Sequence, residues 1–238
     1  MRKASSFHLL YAITLLVHLC AILFHLDILR YVSKFLLPFI LAAYFITGTE
    51  GIPAIFRVSL LAALFFSGFG DMFLLFYEQS PLFFTCGLVT FVFSLLAYIA
   101  FFLKIRYTNY PLPLCNWPFI LGMAAGIIAF IFFMLPYLGR MTLLVLIFAV
   151  IAYIMVQSVM HAFRLKDQPS GWYSLAGACI YILSCVIIAI HYFYHHLEMG
   201  AFYLMLTYGI AQWGMVTGGL RYLQMRRGYA TPQRMGTN

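Results

Sequence analysis

Apolar residues run along this chain in long blocks that hold few charges, with short polar breaks between them. Eight blocks can be drawn, near 7–26, 31–49, 54–77, 82–104, 117–138, 141–163, 172–194 and 200–222. Each is roughly 17–25 residues long, which is what an α-helix needs to cross a bilayer. The breaks carry helix-ending residues: Asp27 and Arg30, then Thr49-Glu50-Gly51-Ile52-Pro53, then Glu78-Gln79-Ser80-Pro81. The pattern predicts an all-α polytopic membrane protein with about eight transmembrane helices. One helical domain would cover 1–223, and a polar, basic cytoplasmic tail would cover 224–238. The second block is the weakest of the eight, because it is short and contains Lys34.

Composition strengthens this reading. Of 238 residues 65% are hydrophobic and only 8% charged, too few charges to solvate a globule of this size. The net charge of +8 comes from residues that flank apolar blocks and not from a basic patch, so nucleic acid is not expected as a partner. Cys20, Cys86, Cys115, Cys179 and Cys185 lie singly and read as membrane thiols, not as disulfides or a zinc site. Met1-Arg2-Lys3 before an apolar stretch is similar to a signal peptide. His25-Leu26-Asp27 stands where a cleavage site would need small residues, so the first block reads as an uncleaved span.

Lysine and arginine orient the map. Arg2, Lys3, Arg57, Lys104, Arg106, Arg164, Lys166, Arg221, Arg226, Arg227 and Arg234 fall on one side, and only Arg30, Lys34 and Arg140 on the other. The positive-inside rule then predicts both termini in the cytoplasm. A bacterial inner membrane is the expected location.

Against this background Asp71 stands out, as the one carboxylate inside an apolar block. A charge at that depth costs several kcal/mol on insertion scales, so it marks a functional site by default. It could equally be a structural carboxylate paired with Lys34. Low dielectric favours its neutral acid and a neighbouring Lys34 favours its anion, so its protonation state is open at this level. With the orientation above, Lys34, Asp71, Ser184, His191, Tyr208 and Gln212 all fall in the non-cytoplasmic half of the bilayer. Tyr208 and Gln212 are four residues apart and share a helix face. A shift of 114 positions lays Gly70-Asp71 over Ser184-Cys185 and Ala97-Tyr98 over Ala211-Gln212. Spans one to four and five to eight can thus be read as two parallel four-helix repeats.

The remaining chemistry is sparse. His18 and His161 read as packed, hydrogen-bonded histidines. His191, His195 and His196 lack a completing acid or thiol other than Glu198, so no metal is expected. No G-x-S-x-G, H-E-x-x-H or phosphate-loop motif occurs, and no cofactor is implied.

Four segments carry a resemblance. Ser67-Gly68-Phe69-Gly70-Asp71-Met72-Phe73-Leu74-Leu75 resembles the S-x-x-G-D-x-x-L-L signature of the YhhN-like lysoplasmalogenase family. Lys34-Phe35-Leu36-Leu37-Pro38 is similar to its K-x-x-x-P stretch. Gly177 to Ser184 is similar to its G-A-x-x-F-x-x-S-D block, and Tyr208-Gly209-Ile210-Ala211-Gln212 matches its Y-x-x-A-Q. Two departures accompany these matches. Cys185 stands where the family has its second aspartate, and Leu95 where it usually has a histidine ahead of Tyr98.

The resemblance implies hydrolysis of the vinyl ether of lysoplasmalogens to a fatty aldehyde and a glycerophospho-alcohol. An acid protonates the enol-ether carbon and a second group helps water add, which is work for two carboxylates. On this reading Asp71 is the general acid and Cys185 occupies the second catalytic position. Lys34 fixes the phosphate or tunes Asp71. Ser67, Ser184, Tyr208 and Gln212 complete the substrate site, the last two orienting water or the glycerol hydroxyl. The partner is a lysophospholipid or another single-chain lipid. Two other classes stay open: a non-catalytic lipid-binding relative, and a small proton-coupled transporter.

Overall fold

The structure is a computed structural model, which describes residues 2–77, 79–109, 112 and 116–230, with side chains at 2–4 and 227–230 left out. It is all helical among the described residues. The helices are α1 (Arg2–Leu23), α2 (Asp27–Gly48), α3 (Ala54–Phe73), α4 (Pro81–Thr108), α5 (Trp117–Met134), α6 (Thr142–Met160), α7 (Ser170–Ala189) and α8 (Gly200–Ala230). Two short 3₁₀ turns join α5 to α6, and a π-turn at Ile190–Tyr194 ends the seventh span.

Helix ends follow local chemistry. Ser80 caps α4 by accepting from the Leu82 amide, with Pro81 in the first turn, where a missing N–H costs nothing. Asn116 does the same for α5 through the Phe119 amide. Helix α2 starts at Asp27, four residues before the expected start of its span, because an acid suits the positive end of a helix. Helix α4 runs on to Thr108, and α8 continues past 222 to Ala230. The last eight residues of the expected tail lie outside the described ones, as do Glu78 and Cys115.

Seven helices are long and apolar enough to cross a membrane, α1 to α7. The eighth falls short because it is the inner helix. Over its described length it buries Met205, Tyr208, Ala211, Gln212, Met215, Val216, Thr217 and Leu220, and it packs on α1, α2 and α7. The chain is an integral, multi-pass membrane protein.

Neighbours repeat with a shift of four helices. The pairs α1–α2, α2–α3, α3–α4 and α4–α6 are mirrored by α5–α6, α6–α7, α7–α8 and α8–α2. Three side-chain hydrogen bonds join residues 114 positions apart: Tyr77 with His191, Tyr98 with Gln212, and Thr108 with Tyr222. Equivalent positions touch in this way when two like halves face each other across a two-fold axis. Small residues let the helices approach. A Cβ on Gly177 would sit 2.7 Å from the Ala211 carbonyl oxygen, and one on Gly68 would sit 3.2 Å from the Pro38 ring.

Candidate functional site

Asp71 lies near the end of α3 and is only 5% exposed. Its approach to α2 follows from the close Gly68–Pro38 contact three residues back, where a Cβ at 68 would sit 3.2 Å from the proline ring. Pro38 cannot return a hydrogen bond to the carbonyl of Lys34 one turn earlier, which loosens α2 at that point. Lys34 faces the same gap, is 7% exposed, and pairs with Asp71 at 3.6 Å. It therefore neutralises a buried acid and does not extend toward water. Both side chains of the pair are 8% exposed.

A chain of polar groups approaches Asp71 from α4 and α8. The Tyr98 hydroxyl donates to the Gln212 carbonyl oxygen, and the Gln212 amide donates to the Tyr208 hydroxyl at 3.1 Å. That leaves the Tyr208 proton free for the Asp71 carboxylate, which its hydroxyl faces. Ser67 stands beside Tyr208 with its own proton on the Leu64 carbonyl.

These groups close one end of a cavity of about 320 Å³. Lys34, Asp71, Tyr181, Ser184, Cys185 and Tyr208 form its polar end. The rest is apolar, with α5 and α6 as the far wall, where Gly122 and Gly126 leave open space before them. Its size falls within the range of small-molecule sites, about 300–1,000 Å³. Ser184 donates to the carbonyl of Tyr181 and lines the cavity. The thiol of Cys185 is half-buried and unbonded to another cysteine.

Of the residues expected from sequence, Asp71, Lys34, Ser184, Cys185 and Tyr208 thus line one space. Ser67 and Gln212 stand one layer behind it. Tyr98 and Tyr181 were not singled out as site residues, although the 114-residue echo with Gln212 and the family motif around Leu95 both touched Tyr98. The histidines divide. His161 bonds the Gln157 carbonyl and accepts from the Asn116 amide. His191 and His196 lie with ring centres 4.3 Å apart at the exit of α7. No three metal-ligating side chains converge among the described residues.

Residues 29–219 match the family model described as YhhN family. The chain belongs to the YhhN family. That stretch takes in α3 to α7, nearly all of α2 and most of α8, and so the whole polar end of the cavity. No curated protein and no solved structure matches the chain. The YhhN assignment and the seven apolar spans put this cavity among membrane-crossing helices.

Proposed function

We propose that the protein is a membrane hydrolase that cleaves the vinyl ether bond of lysoplasmalogens. The carrying observation is a membrane-embedded cavity, apolar along its length, that ends at one buried acid held by Lys34 and Tyr208. An alkenyl chain lies along the apolar wall and presents its double bond to Asp71. Asp71 acts from the neutral form of its pair, in which the Lys34 ammonium has passed a proton to the carboxylate, and adds that proton to the vinyl carbon remote from oxygen, leaving an oxocarbenium ion. The Asp71 carboxylate so formed takes a proton from water as that water adds to the oxygen-bearing carbon. The resulting hemiacetal passes its hydroxyl proton to the ether oxygen and collapses to aldehyde and glycerophospho-alcohol. One carboxylate thus serves as acid and then as base. Ser184 and Tyr208 hold the water, and Cys185 bounds the site as a neutral thiol.

Purified protein should release fatty aldehyde from a lysoplasmalogen, and Asp71→Asn should lower the rate by about 10²–10⁴-fold, the usual contribution of a general acid. Unchanged release in that variant would refute the mechanism. Cys185 favours a second reading, a lipid-binding protein that keeps the pocket without the chemistry. Cys185→Asp discriminates: activity gained only with the acid restored supports the second reading, and an active wild type dismisses it.

A further inference from the structure

A smaller cavity of about 40 Å³ adjoins the main one and shares Lys34, Leu74 and Phe84 with it, at the end of the bundle where α1 and α3 finish and α2 and α8 begin. Its polar wall is unlike that of the main cavity. His18, Arg30, Lys34, Tyr77 and His191 line it, and no carboxylate does. Arg30 and Lys34 are one turn apart on α2, which sets Arg30 about 6 Å further along the helix axis. No ion pair joins Arg30 among the described residues.

His18 has no solvent exposure, and its Nε2 has no hydrogen-bond partner. The state of that nitrogen follows from its neighbours. Ser33 spends its only proton on the Leu29 carbonyl at 2.6 Å. With its proton there, Ser33 accepts from His18 Nδ1, 2.8 Å away. In that arrangement Nδ1 carries the proton, and Nε2 is a buried acceptor on a residue that lines the smaller cavity. A buried acceptor without a donor is costly, so the site calls for a hydroxyl.

We propose that this smaller cavity is a headgroup subsite, in which Arg30 holds a phosphate and His18 Nε2 accepts from a hydroxyl on the neighbouring carbon. A lysophospholipid has both features, a free glycerol hydroxyl next to its phosphodiester. The order of groups along such a lipid matches the order along the protein. The chain and its ether linkage meet the main cavity and Asp71, and the hydroxyl and phosphate meet His18 and Arg30 beyond Lys34. This deepens the hydrolase reading by naming what selects a lyso-lipid, and it rests on that reading for the placement of the chain.

Binding tests it without hydrolysis. The probes are three saturated ethers of equal chain length, none with a vinyl group: 1-O-alkyl-glycerophosphocholine, its 2-O-methyl derivative, and 1-O-alkylglycerol. Titrated against full-length protein in detergent, the first should bind about tenfold or more tightly than either of the others, from the loss of one charged or buried hydrogen bond. Arg30→Gln should abolish the preference for phosphate and keep the preference for free hydroxyl. His18→Leu should do the reverse. If that variant fails to fold, the methylated probe on wild-type protein carries the same information. Inorganic phosphate should weaken binding of the phospholipid ether and leave the alkylglycerol untouched. Equal affinity for all three ethers overturns the subsite. So does inorganic phosphate that binds through Arg30 without disturbing the lipid, which would mark a free-phosphate site. Preferential binding by a protein that leaves lysoplasmalogen intact would refute the hydrolase reading and leave the subsite standing.

Discussion

Helices α5 and α8 differ more than any other two in this molecule. Helix α5 is strongly apolar along its whole length and buries only Met134. Helix α8 carries glycines, tyrosines, Gln212 and Thr217, is not apolar enough to count among the seven spans, and is buried along most of its described length. In water this pairing of polarity and burial would be inverted. In a bilayer lipid solvates apolar side chains as well as the protein does, so small and polar residues mark the helix contacts. The two helices also form opposite walls of the cavity. The α8 side is fixed by close backbone contact and hydrogen bonds. The α5 side is loose, and two glycines leave room there for a chain.

The fixed side should be the sensitive one. The largest effect is expected from Lys34→Met, which strands Asp71 as an unpaired buried acid and should cost about 3–5 kcal/mol. Thermal unfolding in detergent measures it, and adding Asp71→Asn should recover most of the loss. Gly177→Leu comes next. Its side chain would meet backbone atoms of Ala211 and Met215 within 3 Å, and overpacking of this kind costs about 1–3 kcal/mol. Gly126→Leu on the loose wall should change stability by no more than about 0.5 kcal/mol, because nothing lies within 4 Å of a Cβ there. It should instead shift lipid binding toward shorter chains. Should Gly126→Leu destabilise as much as Gly177→Leu, the contrast between the walls fails.

The same contrast explains how much was legible in the sequence. Apolar blocks revealed the spans, since hydropathy reports exposure to lipid. Asp71, Lys34, Tyr208 and Gln212 were visible because polar residues are expensive in such blocks. The far wall was not visible, because Gly122, Gly126 and Ala149 facing a cavity look no different from the same residues facing lipid. Tyr181 was read only as a motif position, and its place in the cavity depends on the turn of α7. His18 was read as a packed, hydrogen-bonded histidine, and its Nδ1 does bond Ser33. That its other nitrogen is a buried acceptor depends on the donor direction of Ser33, which no sequence pattern encodes.

The central claim is that Asp71 delivers a proton to carbon at the end of a lipid cavity. Hydrolysis of a lysoplasmalogen in D₂O tests it directly, because the exchangeable Asp71 proton is then deuterium. The account predicts aldehyde carrying a single deuterium on the carbon next to the carbonyl, and almost no product from Asp71→Asn. Aldehyde without deuterium at that carbon, or labelled aldehyde formed at the wild-type rate by Asp71→Asn, would contradict it.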